Sequence, residues 1–389
     1  MFGVFSGSRF SPIVLDLGSD GVKMLQMKRV GSTVRVSAGG QWRYPAAAGA
    51  DPLQRRELAV QAVREMLRAG GCHGRRVTSA LSSAELHIKN VRLPHMPAQQ
   101  LEQAILWEAK ERFPFDVEPD RIRHLHAGQV RQGAELRDEI IMLAVPAETM
   151  ERHLEMLGQM GLRPEHVDPE PIALFRGFER FLKRSSDEDA VTVLVDLGRR
   201  ATRVVVARGR RVVFIKSIDI GGQKLIQAVA KQLGISEQEA GELRVRIMRE
   251  SHGGTAPGDS AEGSGRDRAN VEWTVHDALR GEVEALAKEI ALCLRYCSVT
   301  FRGLRPDRVT LTGGEAYDPA VRNLLQENLG IECVLGQPLK GIDVSDVDFE
   351  NDRRATLAEW AVCAGLAARE TRMMPYALEG KNARDRLPA

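Results

Sequence analysis

Ile13-Val-Leu-Asp-Leu-Gly18 and Val193-Leu-Val-Asp-Leu-Gly198 stand 180 residues apart in a chain of 389 and read as two copies of one local structure. In each, a short apolar run suited to a buried strand ends on Asp-x-Gly, where glycine permits a tight turn. A second β-patterned run follows, Val22 to Met27 in one copy and Thr202 to Ala207 in the other. The pattern predicts two hairpins with acidic tips, and hence a duplicated fold. A third turn signal, Val309-Thr-Leu-Thr-Gly313-Gly314-Glu, carries a strand into paired glycines ahead of a helix over Pro319 to Leu329. Backbone N–H groups and a helix start come together there, which is what close approach of a phosphate or a flat base requires.

Between the two copies, Glu57 to Ala69 places Leu58, Ala62, Met66 and Ala69 at helical spacing and leads through glycines into a strand-like Arg76 to Leu81. From about residue 84 the texture changes. A strand through Val91-Arg-Leu-Pro, a helix Ala98 to Arg112, strands near Arg123 and Ile141, and a helix Glu148 to Met160 predict an inserted α+β subdomain. Asp168 to Leu182 reads as an apolar linking helix, and Ser251 to Asn270, rich in Gly, Ser and charge, as a flexible surface loop. Glu282 to Phe301 reads as a helix burying Val283, Leu286, Ile290, Leu294, Cys297 and Phe301. The expected division is a first lobe over 1–84 with 167–188 and 340–375, an inserted subdomain over 85–166, and a second lobe over 189–222 with 302–339. An outer subdomain over 223–301 and a tail over 376–389 complete it.

With 43% hydrophobic residues the chain can bury a sizeable core, and its length suggests roughly two to three structural units. Fifty-five Lys and Arg against 53 Asp and Glu leave a formal charge of +2, too weak a field to suggest nucleic acid as a partner. Five cysteines, odd in number and without a CxxC pair, suit a reducing compartment better than a disulfide framework. Met1 to Arg9 interleaves apolar residues with Gly and Ser and does not read as a signal peptide. Apolar runs such as Ile140 to Val145 are far shorter than the roughly 20 residues that span a bilayer, so membrane association is expected only through a partner. His124 and His126 alternate on a predicted strand and are expected on a solvated face.

Asp16-Leu-Gly-Ser-Asp-Gly-Val-Lys23, Asp196-Leu-Gly-Arg-Arg-Ala-Thr202 and Leu311-Thr-Gly-Gly314 resemble, in order and separation, the two phosphate loops and the adenosine loop of actin-like ATPases. A narrower resemblance is to the PilM family of type IV pilus assembly proteins. It is carried by Val91-Arg-Leu-Pro-His-Met-Pro, Trp107-Glu-Ala-Lys-Glu-Arg-Phe-Pro-Phe115, Gly161-Leu-Arg-Pro-Glu-His-Val-Asp-Pro-Glu-Pro-Ile-Ala-Leu174, Ile220-Gly-Gly222 and Ala364-Gly-Leu-Ala367. The resemblance implies an α/β, actin-like (ribonuclease H-like) duplicated fold with two lobes and an inserted α+β subdomain of the FtsA/PilM type.

It also implies ATP and Mg²⁺ as ligands. A site for that polyanion and its metal needs backbone donors for phosphate and carboxylates for a cation that keeps much of its water. Asp16 and Asp196 then take the metal through water, Gly18 and Gly198 turn the two loops, and Ser19 and Lys23 meet the β- and γ-phosphates. Thr202 supplies the matching hydroxyl, Gly221 and Gly222 open a helix beside the nucleotide, Gly313 and Gly314 form the adenosine loop, and Glu239 and Arg244 flank ribose and base. Arg199 and Arg200 depart from the small residues usual in the second loop, and Arg244 replaces the family's lysine. Glu170, at the start of the linking helix, is the candidate to orient an attacking water, with slow turnover or none expected.

The implied function is a cytoplasmic ATP-binding scaffold, peripheral to the inner membrane. It would hold the N-terminal tail of a PilN-like bitopic membrane protein, with pilus motor ATPases as further partners and no nucleic acid. Leu93, Met96, Ile105, Trp107 and Phe115 are the groove residues chosen for that tail. The alternatives are a metabolic kinase of the same superfamily, for which no acceptor signature is present, and an FtsA-like membrane-associated polymerising protein. The stretch from Glu379 to Ala389 lacks the apolar face of an FtsA-type membrane helix.

Overall fold

The structure, a computed structural model, describes residues 10–31, 33–45, 51–182, 185–251, 265–301, 303–349 and 356–370. Met1 to Arg9, the central part of the expected loop and the tail lie outside them. Along the chain run β1 (Ile13–Leu17), β2 (Gly21–Val30), β3 (Thr33–Arg43), α1 (Pro52–Ala69), β4 (Arg76–Leu81), β5 (His87–Pro94), α2 (Ala98–Arg112), β6 (Ile122–Gln132), β7 (Glu135–Ala144), α3 (Ala147–Gln159), β8 (Arg163–Pro169) and α4 (Glu170–Glu179). There follow β9 (Val191–Leu197), β10 (Thr202–Arg208), β11 (Arg211–Ile218), α5 (Gly222–Leu233), α6 (Glu237–Ser251), α7 (Gly265–Thr300), β12 (Arg308–Thr312), α8 (Pro319–Leu329), β13 (Glu332–Leu335) and α9 (Ala361–Glu370). Packing divides the chain into two compact units. One holds the described residues up to Ala190, Ala207–Ile215 and those from Gln337 on, and the other holds Val191–Val206 and Lys216–Gly336.

The first unit is built on a sheet of order β3-β2-β1-β4-β8. β1 runs antiparallel to β2 with Asp16 opposite Lys23, and parallel to β4, which is parallel to β8. Ile13, Val14 and Leu15 are fully buried, as a strand covered on both faces requires. One cover is α1, whose start is capped by the Asp51 carboxylate accepting from the Leu53 N–H at 2.9 Å, with Pro52 in the first turn. The stripe of α1 that packs is Ala59, Val60, Ala62, Val63 and Leu67. The expected stripe is therefore turned: Leu58 and Met66 are half-buried and Ala69 is exposed, the packed face clustering with Leu157 and Met160. The other cover is α4 with α9, every residue of α9 from Ala361 to Ala368 being buried.

Within this unit, β5-β7-β6 form a separate three-stranded antiparallel sheet, and α2 packs Leu101, Ile105 and Ala109 against Val91, Leu93, Ile140 and Met142. His124 is buried rather than solvated, and a bulge after His126 turns the latter toward Asp138, 3.1 Å away. Asp138 also meets His95 at 2.9 Å.

His153 of α3 makes a further polar contact, its Nε2 lying 2.8 Å from the Ser79 hydroxyl of β4, both groups buried. Burial pushes this imidazole down from 6.5 to about 4. Because the folded value lies below the unfolded one, the neutral ring contributes stability above the unfolded value, and that contribution is lost as pH falls toward the folded one. Wild type is expected to lose on the order of 2–3 kcal/mol more than His153→Gln between neutral pH and about pH 4. Urea unfolding of both across that range is the check, and parallel pH curves would contradict it.

The second sheet has the order β11-β10-β9-β12-β13, with β12 parallel to both β9 and β13. Counting the strands of each sheet in chain order and leaving aside β5 to β7, both sheets read third, second, first, fourth, fifth, so the duplication predicted from two hexapeptides extends to whole sheets. α7 is longer than expected. It begins at Gly265, so the expected loop ends before it, and its core stripe starts at Val275 and Leu279 before reaching Val283, Leu286, Ile290 and Cys297.

Candidate functional site

In the first unit, Asp16 ends β1 and faces Lys23 across the hairpin, Nζ to Oδ2 3.8 Å. Both side chains are mostly buried, and α9 supports them from below, Cys363 Sγ lying 3.8 Å from the Lys23 carbonyl. Burial raises the Cys363 pKa well above its ordinary value, so this cysteine serves as packing. Gly18 and Ser19 form the turn. Arg55 of α1 donates to the Ser19 carbonyl while its guanidinium lies 4.3 Å from the Tyr44 ring centroid, and the Tyr44 N–H donates to the Asp20 carbonyl at 3.0 Å. Arg55 was not read from the sequence, where nothing separates it from its neighbours in a charged helix.

Glu170 opens α4 at the same carboxyl edge of this sheet, where α/β proteins gather their ligands. Its Oε2 accepts from the Ser83 N–H at 2.6 Å, and the side chain is buried. In this arrangement Glu170 anchors the segment after β4.

In the second unit the segments converge more tightly. Asp196 ends β9 beside Thr312, the last residue of β12. Its Oδ1 accepts from the Thr312 hydroxyl at 3.0 Å and its Oδ2 from Arg203 Nη1 at 3.1 Å. Arg203 follows Asp196 by seven residues, as Lys23 follows Asp16, so the internal repeat includes a cation that the sequence reading missed. Thr202 is fully buried and donates to the Ile220 carbonyl at 2.7 Å, which ties β10 to the approach to α5 and leaves the hydroxyl turned inward. Gly313 has φ 84°, and a Cβ there would stand 2.4 Å from the Leu197 carbonyl oxygen, so only glycine lets this loop pass the end of β9. Gly198 and Gly221 meet backbone to backbone. The first amides of α5 are already engaged: the Gly222 N–H donates to the Gly198 carbonyl at 3.0 Å and the Gln223 N–H to that of Arg199 at 2.7 Å.

Beyond Gly314 the loop makes a 3-10 turn, Gly314–Tyr317, before Asp318 caps α8 by accepting from the Ala320 N–H at 3.0 Å. Arg244, buried in α6, reaches Glu315 at 2.8 Å and Asp318 at 2.7 Å. Burial opposes its charge, but the two carboxylates outweigh that and raise its pKa above the ordinary value. Glu239 does not join this cluster. Its carboxylate accepts from the Ser236 N–H at 2.9 Å while the Ser236 hydroxyl accepts from the Glu239 N–H at 3.2 Å. This is a capping box, legible in Ser236-Glu-Gln-Glu239, and it sets the start of α6.

Measured against Mg·ATP, the two hairpins differ. The first fits, since a carboxylate, an ammonium group and a hydroxyl share one glycine-turned loop with the chemistry that a metal–phosphate pair demands. The second does not fit in this conformation. Its helix amides are satisfied by its own loop, and the space above Gly222 is filled by Glu315, whose Oε1 would lie 1.8 Å from a Cβ at that glycine. Among the described residues, no helix is long and apolar enough to cross a membrane, and no group of three or more His, Cys, Asp or Glu could hold a metal ion.

Of the chosen groove residues, Leu93 and Ile105 belong to the core of the inserted subdomain, because the sheet and α2 need them there. Met96 and Phe115 pack partly against that core, and Phe115 stacks on Phe113 at 5.6 Å. Trp107 is 63% exposed on the outer side of α2.

Two sheets of one strand order, each presenting an acidic hairpin at its carboxyl edge, with a three-stranded insertion in the first, define a protein of the actin-like class. Solved structures agree on the fold. A chain of the PilM–PilN type IV pilus biogenesis complex is similar over 94% of this chain and 100% of its own, with a TM-score of 0.73 at 22% identity. The ethanolamine utilization protein EutJ of Carboxydothermus hydrogenoformans is similar over 93% and 90%, with TM-score 0.51 at 14% identity. MreB5 of Spiroplasma citri bound to AMPPNP is similar over 94% and 97%, with TM-score 0.51 at 11% identity. The sequence model of the type IV pilus assembly protein PilM matches residues 14–249, and the chain belongs to that family. No curated protein matches it in sequence.

Proposed function

We propose that the chain is a cytoplasmic scaffold of the inner-membrane complex that assembles a type IV pilus or a related secretion machine. It holds the short N-terminal tail of a PilN-like membrane protein and reaches the membrane only through that partner. What carries the reading is the family match, which runs through the whole inserted subdomain, together with likeness in fold to a chain of a PilM–PilN complex. An extended tail suits the physics of this subdomain, since main-chain pairing gives affinity and an exposed aromatic such as Trp107 gives an anchor.

Mg·ATP is the proposed ligand of the first hairpin, with Asp16 toward the metal and Ser19 and Lys23 toward phosphate oxygens. When bound it would supply the charge that orders these groups. Binding, with slow turnover or none, is the proposed role.

Titration calorimetry of the full chain with a synthetic peptide of the PilN-like tail is the direct test. Saturable binding is expected, weakened roughly ten-fold by Trp107→Ala. Absence of binding to the wild-type chain would remove the scaffold reading, and an unchanged affinity in the variant would remove Trp107 from the contact.

A further inference from the structure

The loop Gly18-Ser-Asp-Gly21 at the tip of the first hairpin is clasped from two sides. On one side β3 ends against it. Gly21 pairs with Arg43 where a Cβ would run into the Trp42 carbonyl, and the Tyr44 N–H donates to the Asp20 carbonyl at 3.0 Å. On the other side Arg55 comes from the start of α1, which Asp51 caps, and the Arg55 N–H donates to the Asp51 carbonyl at 3.1 Å, so the base of this side chain is fixed. Its guanidinium lies over the Tyr44 ring, 4.3 Å from the centroid, and donates through Nη2 to the Ser19 carbonyl. The Tyr44 ring is itself set by Trp42, which meets it edge-on at 5.1 Å. A planar guanidinium can stack on a ring and donate from its edge at once, which a lysine ammonium group cannot. The consequence is one of peptide direction. In a planar trans peptide the carbonyl and the N–H point opposite ways, so an arginine that holds the Ser19 carbonyl also aims the Asp20 N–H away from itself.

We propose that Arg55 is a positioning residue for polyphosphate that does not touch it: seated on Tyr44, it locks the Ser19–Asp20 peptide in the direction that presents the Asp20 amide and the Ser19 hydroxyl to phosphate. The role rests on Mg·ATP binding at the first hairpin, as proposed above, and all of its residues belong to the first unit. A loop that is already turned leaves the ligand less to order, so the arginine raises affinity without a contact of its own. Its charge alone does not suffice, because the stack on Tyr44 and the fork on the carbonyl are what set the peptide.

The experiment is calorimetric titration of Mg·ATP into the full-length wild-type chain, Arg55→Ala and Arg55→Lys. Amide hydrogen exchange over residues 17–21 of the ligand-free proteins and melting curves are measured alongside. Both variants are expected to bind roughly ten-fold more weakly than wild type, with faster exchange in the loop and an unchanged melting temperature. If the alanine variant does not fold, the lysine variant decides. Wild-type affinity in either variant overturns the positioning role and leaves nucleotide binding standing. So does weaker binding with unchanged loop exchange, because the arginine would then act on the ligand and not on the loop. Absence of binding by the wild-type chain at millimolar nucleotide overturns both.

Discussion

Gly365→Ala is expected to unfold the first unit at temperatures the wild-type chain survives, with a loss of about 3 kcal/mol or more. Helices α4 and α9 cross backbone to backbone: a Cβ on Gly365 would stand 1.6 Å from the Ala173 carbonyl oxygen, and one on Gly177 would stand 2.8 Å from that of Ala361. No flexible side chain is available to yield, so the helices must part. α9 is buried along nearly its whole length and supports the Asp16–Lys23 hairpin through Cys363, so the displacement would reach the candidate site as well. Gly281→Ala in α7, where nothing lies within 4 Å of the added methyl, is the control and is expected to be neutral or slightly stabilising. Calorimetric melting of both variants decides the matter, and a Gly365→Ala melt matching wild type would show that the crossing can open without cost.

Asp168→Asn is expected to cost about 3 kcal/mol or more for a different reason. Asp168 ends β8 and is buried. Its Oδ2 accepts from Arg176 Nη1 at 2.5 Å and its Oδ1 from Arg369 Nη1 at 2.9 Å, so one carboxylate ties β8 to both α4 and α9. Burial works to raise its pKa, but Arg176 and then Arg369 outweigh that and hold the carboxyl below the usual carboxylate range. The folded value being depressed, the contribution is present above the unfolded value of 3.8 and is lost as pH falls through the folded one. Asparagine keeps the shape and removes the charge facing a buried guanidinium. Chemical denaturation at neutral pH reads the loss directly, and a midpoint equal to that of wild type would show that hydrogen bonding alone carries the contact.

Much of this architecture was legible in residue order because it depends on local physics. Ile13-Val-Leu and Val193-Leu-Val have the β-branched, unbroken apolar character of strands covered on both faces, and Asp-x-Gly marks where each must turn. The inserted helix Ala98–Arg112 and the strand Arg76–Leu81 fall where periodicity and the glycines around them put them. The capping box at Ser236 and Glu239 is equally readable, since it depends only on the Ser-x-x-Glu spacing at the start of α6.

What residue order determined, then, was the doubling of the fold, the place of its two acidic turns and the presence of a separate insertion, all set by short-range preferences and by a repeat visible as text. Tertiary structure alone decided which polar groups remain available. Arg203 pairs with Asp196, Thr202 turns inward to Ile220, Ser83 engages Glu170, and Glu315 stands over Gly222, because a buried charge or hydrogen-bonding group must find its partner in space, and nothing in the spacing of residues says which partner arrives first.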